Sequence, residues 1–136
     1  MKIEFIATVS VVTPDPPQSH RLLIETLGLP LDGPGDYLYS HEIAGSKHFG
    51  VWPLWEAAQA CFGTDSWPSE LTVPQISLEF EVSGADAVRA AAEELESAGY
   101  RLLHPVREEP WGQTIARVLS AEGSIVGISY IPSMHE

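Results

Sequence analysis

The chain has 136 residues, 44% of them hydrophobic and 19% charged, enough for one domain with a real core and too few for two independent ones. Seven Lys and Arg face nineteen Asp and Glu, a formal net charge of −12. Such an acidic body repels phosphate, which speaks against nucleic-acid binding and against anionic membrane surfaces, and it attracts cationic partners. A single cysteine, Cys61, excludes an intramolecular disulfide and a Cys-rich zinc site.

The elements follow in chain order. Residues 3–12 alternate, with Phe5, Ala7, Val9 and Val11 on one face and Glu4, Ile6, Thr8 and Ser10 on the other, which predicts a half-buried strand and not a signal peptide. Asp15-Pro16-Pro17 opens a helix whose Leu22, Leu23, Thr26 and Leu27 recur at helical spacing before Gly28. A short extended piece at 29–31, a strand at 37–43, a Gly45-Ser46 turn and a strand at 47–52 follow. The linker, 54–74, carries a predicted helix over 54–62 and then a turn-rich run. Residues 75–82 alternate as a strand, a helix spans about 85–98, and strands follow at Leu102, 114–119 and 124–130. The second half (about 75–132) therefore repeats the strand–helix–three-strand order of the first (about 1–53). The pattern predicts one α+β domain: tandem βαβββ modules whose curved sheets enclose a cleft, with helices on the outer faces. The cleft sets are then Glu4, Ile6, Thr8 and Ser10, and Ser77, Glu79 and Glu81, with Glu81 expected at the solvated end of its strand.

The layout resembles the vicinal oxygen chelate superfamily of glyoxalases, extradiol dioxygenases and bleomycin-resistance proteins. The resemblance spans nearly the whole chain. Its most specific pieces are Glu109-Pro110-Trp111-Gly112-Gln113 and the hairpin Leu119-Ser120-Ala121-Glu122-Gly123, which are similar to a Pro-Trp-Gly stretch and an Asp-Pro-Asp-Gly-Asn turn, the latter degraded here. Metal-dependent members carry three or four His or Glu ligands. Carried onto this sequence, those positions fall on Thr8, near Ser77 (Gln75 or Glu79 by register), on Gly127, and among His48, Phe49 and Gly50. At best His48 and Glu79 remain, so no metal and no cofactor is expected.

Other chemistry is sparse. There is no nucleophile elbow, phosphate-cradling loop or dinucleotide fingerprint, and His20, His41, His48, His104 and His135 show no ligand spacing. His20 and His135 read as solvated surface. Cys61, in an apolar helix, reads as a buried inert thiol. Four tryptophans and four tyrosines supply flat surfaces for stacking. The resemblance to metal-free members implies a cytoplasmic homodimer that binds a bulky aromatic antibiotic, bleomycin- or enediyne-like. The expected ligand-binding residues are Tyr37, Tyr39, His48, Trp52, Ser77, Glu79, Trp111 and Gln113. Trp55 and Trp67 are expected to pack the linker or an interface, and the facing of Arg117 stays open. The alternatives are a metal-dependent glyoxalase or dioxygenase centred on His48 and Glu79, and a metal-free isomerase with Glu79 as general base.

Overall fold

The computed structural model describes residues 1–136. Strand β1 (Phe5–Thr13) leads into helix α1 (Pro16–His20), where the Asp15 side chain accepts from the Gln18 backbone N–H. The helix widens into a π-helical turn over Arg21–Thr26, closed by Leu27 N–H donating to the Leu22 carbonyl. Strands β2 (Leu38–Ser40) and β3 (Phe49–Pro53) complete the first module. Helix α2 (Leu54–Phe62) starts directly from Pro53 and ends at Gly63, whose φ of 73° suits glycine. The second module is β4 (Ile76–Glu81), α3 (Ala85–Ser97), β5 (Arg107–Glu108), β6 (Thr114–Leu119) and β7 (Ile125–Tyr130), followed by a 3-10 turn at Pro132–His135.

All seven strands form one open mixed sheet in the order β2-β3-β1-β4-β7-β6-β5. The modules join edge to edge, through antiparallel pairing of β1 with β4. They make one continuous curved layer where two sheets facing each other were expected. Each first strand pairs in parallel with the last strand of its own module, β1 with β3 and β4 with β7. Both modules therefore carry the same connectivity. The first has lost a strand: its extended segment survives as a single bridge between Asp32 and Tyr39. Gly33, Pro34 and Gly35 follow Asp32 and leave nothing to extend a ladder. In the second module the expected strand at Leu102 is absent, and the edge is β5 instead.

The two faces of the sheet are covered differently. On the outer face Val82, Ala116 and Ile128 pack under Val88, Ala91 and Ala92 of α3, all 5% exposed or less. Helix α1 packs against β3 but contributes no buried side chain, and Leu22 and Leu27 are 57% and 60% exposed. The widened turn rotates that stripe away from the sheet. Helix α2 does not lie on the outer face. Its Ala57 and Cys61 pack on Val12 and Ile125, with Trp52 and Leu119 around them. The register places those residues on the inner face: Val12 opposite Trp52, and Ile125 opposite Ser77 and Leu119. Small side chains at 57, 58 and 61 let the helix seat closely. The linker helix thus fills one end of the concavity that alternation alone leaves open.

A β-bulge between Ile6 and Thr8 changes the face of the first strand's leading end. Thr8 pairs with Glu79 and Ser10 with Ser77, as the alternation predicts. Beyond the bulge Phe5, not Ile6 or Glu4, shares the face of Glu81. Ile6 is 52% exposed.

Candidate functional site

The inner face carries two polar clusters flanking α2. The first lies on β4, β6 and β7. Gln113 donates from Nε2 to Glu79 Oε1 and to Ser129 Oγ, both at 2.9 Å. Its Oε1 accepts from the indole Nε1 of Trp111 at 2.9 Å. Gln113 and Ser129 are buried and Glu79 nearly so, yet Trp111 is 65% exposed. A buried amide therefore holds an exposed ring in one place.

Arg117 faces the same side, opposite Gly127. Its side chain is 3% exposed. Nη1 donates to His104 Nε2 at 3.0 Å and lies 3.7 Å from Glu109, which also binds Arg107 at 2.7 Å. His104 donates from Nδ1 to the Pro105 carbonyl, which leaves Nε2 as the acceptor that Arg117 requires. Burial holds the His104 pKa below its ordinary value, opposed by the Pro105 bond and reinforced by Arg117, so the ring stays neutral. The guanidinium stands 5.8 Å over the Trp52 ring. Trp52 is on the expected face but sits half-buried beside α2, packed by protein.

The second cluster is at the β2–β3 edge. Tyr37, Tyr39, His41 and His48 form a stack, with Tyr39 5.0 Å from His48 and 5.6 Å from Tyr37 between ring centroids. Tyr37 Oη and His48 Nε2 are 2.6 Å apart, and His48 Nδ1 and His41 Nε2 are 2.8 Å apart. Burial, then the charge of His41, lowers the His48 pKa to about 4. Burial likewise pushes the Tyr37 phenol well above its ordinary value, offset in part by a hydrogen bond with Ser10. Tyr37 reaches Ser10 across Gly50, which has no Cβ to block it.

Of the eight expected ligand-binding residues, Glu79, Trp111 and Gln113 form one cluster and Tyr37, Tyr39 and His48 the other. Ser77 lies between them, 2% exposed in the sheet, and Trp52 is beside α2. Three expectations are overturned. Glu81 is not solvated: it is fully buried, and its Oε2 accepts from the Ile131 N–H and bonds His135 Nε2 at 2.9 Å. His135 is therefore a partner of a buried carboxylate. His20 is half-buried, with Nε2 enclosed and unpaired. Cys61 is buried as expected, and burial raises its thiol to about 11. Trp67 packs edge-on against Phe62 and donates to the Thr72 carbonyl, while Trp55 is 43% exposed. Sequence reasoning missed Ser129 and His104, and left Arg117 unplaced. Only their cross-strand partners identify them.

The positions that hold a metal in the metal-dependent members do not fit one here. Thr8 and Ser77 offer hydroxyls and Gly127 no side chain; Glu79 is held by Gln113, and at the fourth position Gly50 offers no side chain while both nitrogens of His48 are engaged by Tyr37 and His41. The space above Gly127 is taken by Ile115 and Glu79, whose Cδ1 and Cγ would lie 3.0 and 3.1 Å from an added Cβ. Tyr37 takes the space above Gly50. No three His, Cys, Asp or Glu side chains are arranged so that they could hold one metal ion.

No family model and no curated protein matches this sequence. Solved structures do match it. A glyoxalase/bleomycin resistance protein/dioxygenase superfamily member from Vibrio splendidus 12B01 superposes with a TM-score of 0.61 at 10% identity, over 96% of this chain and 100% of that one. A variant methylmalonyl-CoA epimerase of Streptomyces coelicolor gives 0.57 at 12%, over 96% and 99%. The chain has the vicinal oxygen chelate fold. The Mn(II)-bound glyoxalase from Novosphingobium aromaticivorans gives 0.58 at 15%, over 92% of this chain and 37% of that longer one. Likeness at this identity establishes the fold and carries no activity. No helix is long and apolar enough to cross a membrane.

Proposed function

We propose that this chain is a metal-free homodimeric binding protein that sequesters a bulky aromatic natural product, bleomycin- or enediyne-like, and so confers resistance to it. The observation that carries the reading is Trp111, a large ring two-thirds exposed yet tethered through Gln113 to buried Glu79 and Ser129. A flat ligand meeting a fixed ring loses less entropy on binding than one that must order a loose ring. The carboxylates of the inner face and the net charge of −12 favour an amine-bearing ligand. Sequestration needs only affinity and a slow off-rate.

Titration with bleomycin-type and enediyne-type antibiotics, followed by tryptophan fluorescence and calorimetry, tests this. Binding is expected to weaken about tenfold or more in Trp111→Ala, roughly 1.4 kcal/mol, and less in Trp52→Ala because α2 crowds that ring. If neither variant changes the dissociation constant, the ligand does not sit on this face. Sedimentation velocity checks the dimer. If Trp111→Ala gives monomers and no antibiotic binds, the exposed ring belongs to a subunit contact and not to a ligand.

A further inference from the structure

Glu81 is a fully buried carboxylate whose one side-chain partner is His135. Both of its bonds fall on Oε2, from the Ile131 N–H and from His135 Nε2 at 2.9 Å, while Oε1 is enclosed without a donor. His135 comes from the 3-10 turn Pro132–His135, which buries no side chain of its own. The hold of that turn on the sheet runs through the His135 ring. Beyond its bond to Glu81, the ring brings Nδ1 to 3.8 Å from Glu4 and meets Phe5 and Tyr130 with centroids at 5.5 and 5.0 Å.

We propose that Glu81, Glu4, Phe5 and Tyr130 form a binding site for a planar nitrogen cation, an imidazolium or amidinium group of a small molecule, and that His135 fills it from within as a strap that such a group displaces. Two carboxylates and two aromatic rings are the chemistry that recognises a flat cation with N–H donors. Phe5 already faces one cation, the Lys47 ammonium 4.6 Å over its ring. A buried carboxylate left without a donor is costly, so the site holds either His135 or a group that replaces it. Lifting the turn exposes no core, because none of its side chains is buried. The strap competes at the effective concentration of a tethered group and so weakens the apparent affinity for any guest. Glu81 pairs across the strands with Ser129, the hydroxyl that Gln113 holds, so the site adjoins the Trp111 cluster without using it.

The test uses the full chain and imidazolium chloride, with sodium chloride at the same ionic strength as the control. His135→Ala should bind imidazolium saturably, one per chain by calorimetry, with a rise in melting temperature that sodium chloride does not give. In that background Glu4→Gln, at a part-exposed position, should weaken binding several-fold, and Glu81→Gln by at least about tenfold. The wild type should bind at least about tenfold more weakly than His135→Ala, and its His135 ring resonances should move toward those of a free histidine as imidazolium is added. No saturable binding in His135→Ala, or an affinity that survives both carboxylate substitutions, overturns the site. Wild-type His135 resonances that stay in place, or move equally with sodium chloride, overturn the strap. A failure of antibiotic binding at Trp111 changes none of these readings.

Discussion

Gly50 sets the position of Tyr37 by having no side chain. Tyr37 belongs to the edge of the sheet, yet its hydroxyl crosses β3 over Gly50 to reach Ser10 and His48. A methyl group at position 50 falls inside the contact distance of that hydroxyl, and the ring, stacked on Tyr39 and His48, has nowhere to move. Gly50→Ala should therefore cost about 1–3 kcal/mol in a urea titration, the usual penalty of overpacking, and release the His48 pKa toward its ordinary range. An unchanged midpoint means that Tyr37 swings out freely. Glu81 is the second residue whose role is set by enclosure. One oxygen holds the Ile131 amide and His135; the other, Oε1, is buried without a partner. Glu81→Ala leaves a buried amide unpaired and empties a fully enclosed site, so a loss of about 2–4 kcal/mol is expected by chemical denaturation. Glu81→Gln, which keeps the shape and one acceptor, should lose clearly less.

At the level of elements, α2 decides how much of the inner face a ligand can reach. Its boundaries, Leu54–Phe62, were legible: Pro53 ends β3 and a helical stretch runs on to Gly63. Its place was not, because amphipathic spacing says that a face is buried but not against which side of a sheet. The bulge in β1 was hidden for a related reason: Phe5-Ile6-Ala7-Thr8 contains no Gly or Pro to mark it, and only the partner strand reveals the extra residue. The fold itself was readable from the repeated strand–helix–strand order. Glu81, Arg117 and Ser129 were not readable as a site, because each draws its meaning from cross-strand neighbours or from residues far along the chain. The buried thiol makes the seating of α2 measurable. Cys61 is the only cysteine and lies at the interface with Val12 and Ile125, with its pKa raised to about 11. Labelling by a disulfide reagent should be orders of magnitude slower than in unfolded chain and should accelerate in sub-denaturing urea. Fast labelling in buffer would show that α2 lifts readily from the sheet. The two lowered histidines give the acid side a definite sign. His48 and His104 are held neutral in the fold, while unfolded histidine takes up its proton near pH 6.5. Between that value and about 4 the unfolded chain binds more protons, so stability is full above pH 7 and drops as the pH falls. The melting temperature at pH 5 should lie a few degrees below that at pH 7, and His48→Gln should flatten the difference.

At the scale of the whole molecule, charge is the unbalanced term. Nineteen carboxylates face seven Lys and Arg, and of those seven Arg117 is buried and Arg107 is drawn onto the Ala60 carbonyl and Glu109. The buried Glu79 and Glu81 and the largely covered Glu109 offset them, so the outer surface stays strongly negative. The ion pairs at its rim, Arg89 with Asp86 and the terminal amine with Glu94, are solvent-exposed and contribute little. Self-repulsion among carboxylates acts over distances that the Debye length, about 30 Å at 0.01 M salt and 3 Å at 1 M, brings under experimental control. The buried pair of Arg117 with Glu109 is screened much less. Sodium chloride should then raise the melting temperature by a few degrees between about 10 mM and 1 M, opposite to a fold held by surface ion pairs. Chloride is the right anion for this test, because sulfate strengthens apolar burial on its own. A melting temperature that falls with added chloride would mean that attraction across the inner face, and not repulsion over the outer one, governs the electrostatics of this protein.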